Sequence, residues 1–94
     1  MSRLYWARND GMSGHVWLSE RDQAALAEEM MLQGMGEFPI QKFAQGERMH
    51  VTVTEIENAL EAASPEPVGV DANLWKDWLE FLQGAASNGG LLVQ

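Results

Sequence analysis

The stretch from Asp71 to Ala86 constrains the fold most strongly, because its pattern fits one kind of element. On a helix at about 100° per residue, its polar side chains fall in one stripe roughly 120° wide and its apolar side chains fill the other side. The polar stripe consists of Asn73, Lys76, Asp77, Glu80 and Gln83, and the apolar side of Leu74, Trp75, Trp78, Leu79, Phe81, Leu82, Ala85 and Ala86. No apolar residue interrupts the stripe. The pattern therefore predicts an amphipathic helix that packs against a core.

Length and composition predict one small folded domain over residues 1–94. An apolar fraction of 46% with clear periodicity is typical of a globular chain rather than a disordered one. The chain has no cysteine, which excludes disulfides and thiolate metal sites. No apolar run approaches the ~20 residues that a membrane-spanning helix needs. We therefore expect a cytoplasmic protein that does not bind a membrane.

The net charge limits the class of partner. Fourteen acidic residues against six basic ones give a formal charge of −8. Binding to nucleic-acid phosphates requires clusters of Lys and Arg, whereas the basic residues here are scattered, so we expect no nucleic-acid binding. An acidic surface attracts basic partners and speeds their association. The same acidity also keeps a small protein soluble, and the charge alone does not separate the two roles.

Two segments near the N-terminus are predicted to form a β-hairpin. Leu4 to Arg8 and His15 to Leu18 are rich in aromatic and branched residues, and residues 9–14 between them are rich in turn formers. Because side chains alternate along a strand, Leu4 and Trp6 share one face of the first strand, and Val16 and Leu18 share one face of the second. Tyr5 and Trp17 point the other way. Because both faces carry aromatic side chains, we expect a helix or a second subunit to cover each of them.

Ser19 is predicted to begin the first helix, over about residues 20–34. Its hydroxyl suits an N-cap, acidic residues follow in the first turn, and Gly34 and Gly36 end the helix. The predicted buried side consists of Leu26, Ala27, Met30 and Met31, and the outer side of Arg21, Asp22, Glu28, Glu29 and Gln33. Glu28 and Glu29 are adjacent and do not face each other on a helix, so they indicate a solvated surface rather than a catalytic pair.

Residues 37–53 contain two candidate extended segments, with a predicted turn at residues 45–47 between them. Phe38 to Phe43 is apolar at alternate positions but contains Pro39, a pattern typical of an edge strand or an extended loop. Arg48 to Val53 is predicted to be a strand, with Met49, Val51 and Val53 on one face. The two segments are candidates for a second hairpin.

Thr54 is predicted to begin the second helix, over about residues 54–63, because Thr54 and Glu57 have the spacing of a capping box. Ile56, Ala59, Leu60 and Ala63 recur with helical spacing on its core side. The run from Ser64 to Pro67 ends this helix and forms a stiff connector. Asp71 or Asn73 caps the third helix, and Leu91 to Val93 is predicted as a last short strand.

The order of elements predicts an α+β fold. We expect a mostly antiparallel or mixed sheet of four to five short strands, packed with three helices at about 20–34, 54–63 and 72–86. Each helix has one apolar face to bury, and a sheet covered by helices accommodates all three.

The residues that could carry chemistry do not form a recognisable catalytic set. His15 and His50 each precede a valine in a predicted strand, which makes them candidate neighbours across the sheet. Their spacing resembles no metal-ligand motif, and ordinary strand histidines explain them as well. The glycines and serines match no phosphate loop, dinucleotide fingerprint or esterase motif. We expect no catalytic residue, no metal and no cofactor.

Two further features of the sequence are candidates for a binding surface: a run of acidic residues and a large number of aromatic residues. No basic residue lies between Thr54 and Pro67, and the chain contains four tryptophans, of which exposed ones would mark an interface. The candidate partner-binding residues are Glu55, Glu57, Glu61, Glu66, Tyr5 and Trp17. We expect a non-catalytic acidic protein-binding module, such as an adaptor, an inhibitor or an immunity-like protein, that binds a basic protein. The alternatives are a homodimeric small-ligand-binding domain with a Trp- and Met-lined pocket, and an enzyme that uses His15 or His50.

Overall fold

The N-terminal hairpin forms as predicted. A computed structural model describes the backbone of residues 2–7 and 13–93, and the side chains of Leu4 and residues 16–93. In it, β1 (Ser2–Ala7) pairs antiparallel with β2 (Ser13–Leu18), and Leu4 lies opposite Val16. The predicted turn over residues 9–14 is too long, since residues 13 and 14 belong to β2. Arg8 and the predicted turn residues 9–12 lie outside the described residues.

The predicted C-terminal strand completes a four-stranded antiparallel sheet. β4 (Leu91–Val93) lies between β1 and β3 (Met49–Val51), which gives the strand order β2-β1-β4-β3. Leu4 lies opposite Val93, and Val51 lies opposite Leu91. All four of these side chains are buried, so one face of the sheet contributes its apolar residues to the core.

Helix α1 (Glu20–Leu32) begins where the sequence predicts but is rotated relative to the predicted burial. The Ser19 hydroxyl accepts a hydrogen bond from the backbone N–H of Asp22 at 3.1 Å, as expected of an N-cap. The buried residues of the helix are Gln23, Leu26, Ala27, Glu29 and Met30. Two predictions are therefore wrong: Met31 is 64% exposed, and Glu29 is only 1% exposed.

A short helix replaces the strand predicted from Phe38 to Phe43. Helix α2 (Ile40–Ala44) follows Pro39, whose missing N–H costs nothing at a helix start, and whose carbonyl accepts from the N–H of Phe43 at 3.1 Å. Ile40 and Phe43 are both buried at the i, i+3 spacing of one helix face. The predicted second hairpin is therefore wrong, and β3 pairs with β4 instead.

Helix α3 (Val53–Ala62) has its N-cap two residues earlier than predicted. Thr52, not Thr54, is the N-cap, and its capping box is completed by Glu55 rather than Glu57. The predicted strand from Arg48 to Val53 is accordingly shorter, because Thr52 already turns the chain into the helix. Ile56 and Ala59 are buried, in agreement with the predicted core side.

Helix α4 (Ala72–Ala86) has the predicted amphipathic pattern. Asp71 is the N-cap, and one of its carboxylate oxygens accepts from the N–H groups of Asn73 and Leu74. The buried residues are Trp75, Trp78, Leu82 and Ala85, and all five residues of the predicted polar stripe are exposed. The helix contacts α3 and strands β1, β2 and β4, which makes it the element that joins the layers.

The predicted α+β class is confirmed. The radius of gyration is 12.0 Å, and a compact chain of this length is expected to have about 12 Å. The predicted number of elements is not matched exactly, because the described part of the chain has four helices where three were expected. No helix in the described part of the chain is both long and apolar enough to cross a membrane.

Candidate functional site

Three of the predicted acidic residues are exposed and have no described counter-charge. Glu57 and Glu61 lie one turn apart on α3, about 6 Å along its axis, and Glu66 lies on the connector, residues 63–71 between α3 and α4. None of the three forms an ion pair with a described Lys or Arg. We call Glu57, Glu61 and Glu66 the acidic set. Each of these carboxylates is available to a group outside the chain.

Glu55, the fourth predicted acidic residue, has a structural role. Its Oε1 accepts hydrogen bonds from the backbone N–H and the hydroxyl of Thr52, each at 3.0 Å. In return, the Thr52 hydroxyl accepts from the N–H of Glu55 at 3.2 Å. This reciprocal pair satisfies N–H groups at the start of α3, so one oxygen of the Glu55 carboxylate is already engaged in the cap.

The connector is held against α1 by a buried carboxylate that the sequence reading placed in solvent. The two Glu29 oxygens accept from the backbone N–H groups of Val68 at 2.7 Å and Gly69 at 2.8 Å. Charged acceptors make stronger and shorter hydrogen bonds than neutral ones. Glu29 thus fixes the second half of the connector.

Gln33 fixes the first half of the connector. Its side-chain oxygen accepts from the N–H of Ser64 at 2.8 Å, and its amide nitrogen donates to the carbonyl of Glu66 at 3.2 Å and to Glu29 at 2.8 Å. The indole N–H of Trp75 also donates to the Ser64 carbonyl at 2.8 Å. The backbone that carries Glu66 is therefore held from two helices.

The environment of Glu29 favours its charged form. Burial is the largest single influence on the pKa of Glu29, and by itself it raises this pKa. It is outweighed by hydrogen bonds from the Val68 backbone and the Gln33 amide, which lower the pKa. The backbone N–H groups of Gly69 and Val70 make smaller contributions in the same direction. The net result is a pKa below the ordinary value of 4.5. Glu29 is therefore an ionised anchor in the folded protein.

The position of Glu29 around the helix indicates that its side chain is buried. At about 100° per residue, Glu29 lies roughly 60° from Leu26 and Gln33 lies only about 20° from it, whereas Met31 lies about 140° away. Hydrophobicity favours Met31 for the core, but position favours Glu29 and Gln33. The partner groups are backbone N–H groups almost forty residues later in the chain, and no sequence pattern identifies those.

Trp17, one of the two predicted aromatic anchors, lies far from the acidic set. Trp17 is 57% exposed on β2, an edge strand, while the side chain of Tyr5 lies outside the described residues. β3, which leads directly into α3, is three strands away, and the usual strand spacing makes this about 14 Å. An exposed apolar residue closer to the acidic set is Val68, which is 72% exposed on the connector.

The two histidines do not form the pair that the sequence suggested. His15 lies on β2 and His50 on β3, and these strands are at opposite edges of the sheet. His50 is exposed, and its Nε2 is 3.3 Å from the carbonyl oxygen of Gly89. The His15 side chain lies outside the described residues. Among the described residues, no group of three or more His, Cys, Asp or Glu side chains is arranged to hold a metal ion.

Two cavities of useful size are lined by described residues. The first, about 430 Å³, is an open groove beside α2, lined by Met31, Gly36, Phe38, Pro39, Ile40, Gln41 and Lys42. The second, about 240 Å³, lies between β2, α1 and α4 and is lined by Val16, Leu18, Leu26, Leu74, Asp77, Trp78 and Phe81. We call this second one the α4 cavity. Trp17 lines neither of them.

One residue that lines the α4 cavity, Trp78, carries a buried polar group with no hydrogen-bond partner among the described residues. Trp78 is 3% exposed, and its indole N–H has no hydrogen-bond partner among the described residues. Leaving a buried donor unsatisfied costs about 1–3 kcal/mol. The ring itself is well packed, with Phe43 at 5.2 Å and Phe81 stacked at 6.0 Å between ring centroids.

The chain matches no known family model, no curated protein and no solved structure.

Proposed function

We propose that the protein is a non-catalytic, cytoplasmic acidic binding module, of the adaptor, inhibitor or immunity-like kind, that engages a basic protein partner. The observation that carries the proposal is the acidic set: three exposed carboxylates that no described cation neutralises. Together with a net charge of −8, such groups attract a basic surface and raise the rate of encounter.

The rigidity of the connector supports this role. Ordering a flexible loop on binding costs free energy, and a loop that is ordered beforehand avoids the cost. Glu29 and Gln33 together make four hydrogen bonds with the connector backbone, and these order it in the free protein. Glu66 is thereby offered in a fixed position.

Val68 supplies the apolar contact that a carboxylate surface lacks. It lies two residues after Glu66 and exposes 72% of its side chain, although its own N–H is bound to Glu29. Interfaces commonly combine an apolar contact with a charged surround. The proposed contact residues are therefore Glu57, Glu61, Glu66 and Val68. Glu55 and Trp17, which the sequence also suggests, lie outside this set, and Tyr5 stays a prediction.

The test is affinity capture from the host lysate with matched baits. A Glu57→Lys/Glu61→Lys bait reverses two members of the acidic set, and a Glu37→Lys/Glu47→Lys bait makes the same change at exposed carboxylates elsewhere. Each reversal adds two charges, so both baits change the net charge from −8 to −4. We expect wild type and the control bait to retain the same basic protein at low salt, and the Glu57→Lys/Glu61→Lys bait to lose it. Equal retention by all three baits, or no basic protein on wild type, would contradict the proposal.

A homodimer is a second candidate, based on a different observation. Trp17 is 57% exposed on β2, an edge strand whose outer hydrogen-bonding side faces no other strand of the described sheet. Edge strands with exposed aromatic residues readily pair with a second copy. Light scattering of wild type and Trp17→Ser over a range of concentrations tests it: a dimer that Trp17→Ser converts to a monomer supports this candidate, and a monomeric wild type excludes it.

A further inference from the structure

A small notch lies between α1 and the connector, beside the proposed contact residue Val68. It has a volume of about 80 Å³ and is lined by Ala25, Glu28, Glu29, Leu32 and Gly69. We call it the α1 notch. Its volume is roughly half of the ~150 Å³ that holds a benzene ring, so it accommodates one narrow side chain rather than a metabolite. We propose that the α1 notch receives a Lys or Arg side chain of the basic partner, an inference that rests on the proposed protein-binding function and names one contact at its site.

The rim of the α1 notch carries two exposed apolar side chains. Leu32 lines the notch and is 57% exposed, and Val68, which is 72% exposed, immediately precedes Gly69 in the connector. Single exposed apolar residues are ordinary, but these two belong to the two elements that face each other across one notch. Lys and Arg pack their methylene groups along apolar surface and keep the charged end in water. The rim therefore suits the stem of a long basic side chain.

The charge of the α1 notch selects a cation. Glu28 is exposed and lies one turn before Leu32, about 6 Å along the axis of α1. Glu29 is only 1% exposed, so it acts on a bound group through its charge rather than by contact. Neither carboxylate forms an ion pair with a described Lys or Arg, and Arg21 on the same face of α1 is about 10 Å before Glu28 along the axis. Two such carboxylates attract a positive group and disfavour an anion.

Gly69 keeps the α1 notch open. A Cβ added to Gly69 would lie 3.9 Å from Oε1 of Glu29, which is an ordinary van der Waals distance. Gly69 is not among the described glycines with a positive φ, so its backbone accepts a larger side chain without strain. Its N–H donates to Glu29 at 2.8 Å, which orders this wall of the notch in the free protein and lowers the cost of binding. A larger side chain at residue 69 would therefore fill the notch and leave the backbone unchanged.

The experiment uses three short peptides that differ in one side chain. The first is acetyl-Gly-Leu-Arg-Leu-Gly-amide, the second has citrulline in place of Arg, which keeps the shape without the charge, and the third has Glu there. Each is titrated at physiological salt into ¹⁵N-labelled full-length protein, and the backbone N–H signals of Ala25, Leu32 and Gly69 report binding. We expect the Arg peptide to shift these signals saturably and the citrulline peptide to bind about fivefold more weakly. The Glu peptide should not shift them.

Two matched variants locate the binding site. Gly69→Val fills the α1 notch, and Gly36→Val makes the same change at an exposed glycine that does not line it. Gly36 also has no positive φ, and nothing lies within 4 Å of an added Cβ there. We expect Gly69→Val to abolish the saturable shifts caused by the Arg peptide and Gly36→Val to retain them. If Gly69→Val does not fold, Leu32→Ser takes its place, because it removes the exposed apolar rim and should weaken binding about fivefold.

Three results would overturn the proposal: no saturable shift with the Arg peptide, equal affinity for the Arg and citrulline peptides, or unchanged binding in the filled notch. The titration does not use the captured partner, so its outcome is separate from the capture test of the proposed function. Capture that depends on Glu57 and Glu61, without peptide binding, would contradict the α1 notch alone. Peptide binding at the notch, with no basic protein captured by wild type, would contradict the proposed function alone.

Discussion

Replacing Glu29 by Gln is predicted to destabilise the protein by removing the ionised anchor of the connector. Glu29 accepts three hydrogen bonds, from Val68, Gly69 and Gln33, at 2.7–2.8 Å. A side-chain amide keeps one acceptor oxygen and places an NH₂ group against at least one of these donors. One hydrogen bond is lost with a donor left unsatisfied, which costs about 1–3 kcal/mol, and the remaining bonds lose roughly 1 kcal/mol each when the acceptor becomes neutral.

The expected total is about 3 kcal/mol in the free energy of unfolding. A domain of this length has roughly 5–14 kcal/mol available, so the loss is a large fraction of it. It corresponds to a fall in Tm of about 12–24 °C. Urea and thermal unfolding measure both quantities, and Glu28→Gln is the matched control, because Glu28 is exposed on the same helix. A difference between the two variants below about 0.5 kcal/mol would refute the account of the connector.

The same variant has a predicted pH dependence. The pKa of Glu29 in the folded protein lies below the ordinary value of 4.5, so its contribution is fully present above that value. The contribution is lost as the pH falls through the lower folded-state pKa. The stability difference between wild type and Glu29→Gln should therefore be constant near neutral pH and shrink in acid. A difference that grows on acidification would have the wrong sign.

Three further predictions test other parts of the fold. Trp78→Phe should cost about 2 kcal/mol less in unfolding free energy than Trp75→Phe, because it removes an unsatisfied N–H rather than one that is hydrogen-bonded to the connector. Thr52→Ala should cost about 1 kcal/mol by removing the cap of α3, whereas Thr54→Ala should cost less than about 0.5 kcal/mol; equal losses would refute the capping assignment. Gly90→Ala should cost more than about 2 kcal/mol of unfolding free energy. Gly90 has a φ of +103°, and an added Cβ would lie 2.5 Å from the backbone oxygen of Val51 in β3. A variant as stable as wild type would contradict this close approach of Gly90 to β3.

The elements with strong periodicity were predictable from the sequence. In α4, the polar stripe from Asn73 to Gln83 leaves one way to orient the helix, and the burial of Trp75 and Trp78 follows directly. Local signals also predict the start of α1 at Ser19 and the strand from Leu91 to Val93. They do not predict that this strand pairs with β1 and β3, because strand pairing is set by contacts between residues far apart in the chain.

The incorrect predictions arise where two local signals compete. Thr52 with Glu55 and Thr54 with Glu57 have the same capping-box spacing, and only the end of β3 at Val51 decides between them. Pro39 suits both an edge strand and the start of a helix, and the burial of the residues after it decides for the helix.

The candidate site was only partly predictable. The exposure of Glu57, Glu61 and Glu66 follows from a run of acidic residues on one side of a helix and in a proline-bounded connector. The burial of Glu29 does not follow, because a carboxylate is normally exposed and its backbone donors lie across the fold. The orphaned N–H of Trp78 is a property of tertiary packing and has no counterpart in the sequence.

The association rate constant of the captured basic partner tests the central claim most directly. It should be measured at low and at physiological salt with wild type, Glu57→Lys/Glu61→Lys and Glu37→Lys/Glu47→Lys. The account predicts that reversing two members of the acidic set slows association at least tenfold at low salt and makes the rate less dependent on salt. The control variant has the same net charge, and its association rate should change far less. Equal slowing by both variants would mean that only the total charge matters, and an unchanged rate would contradict the acidic set as the binding surface.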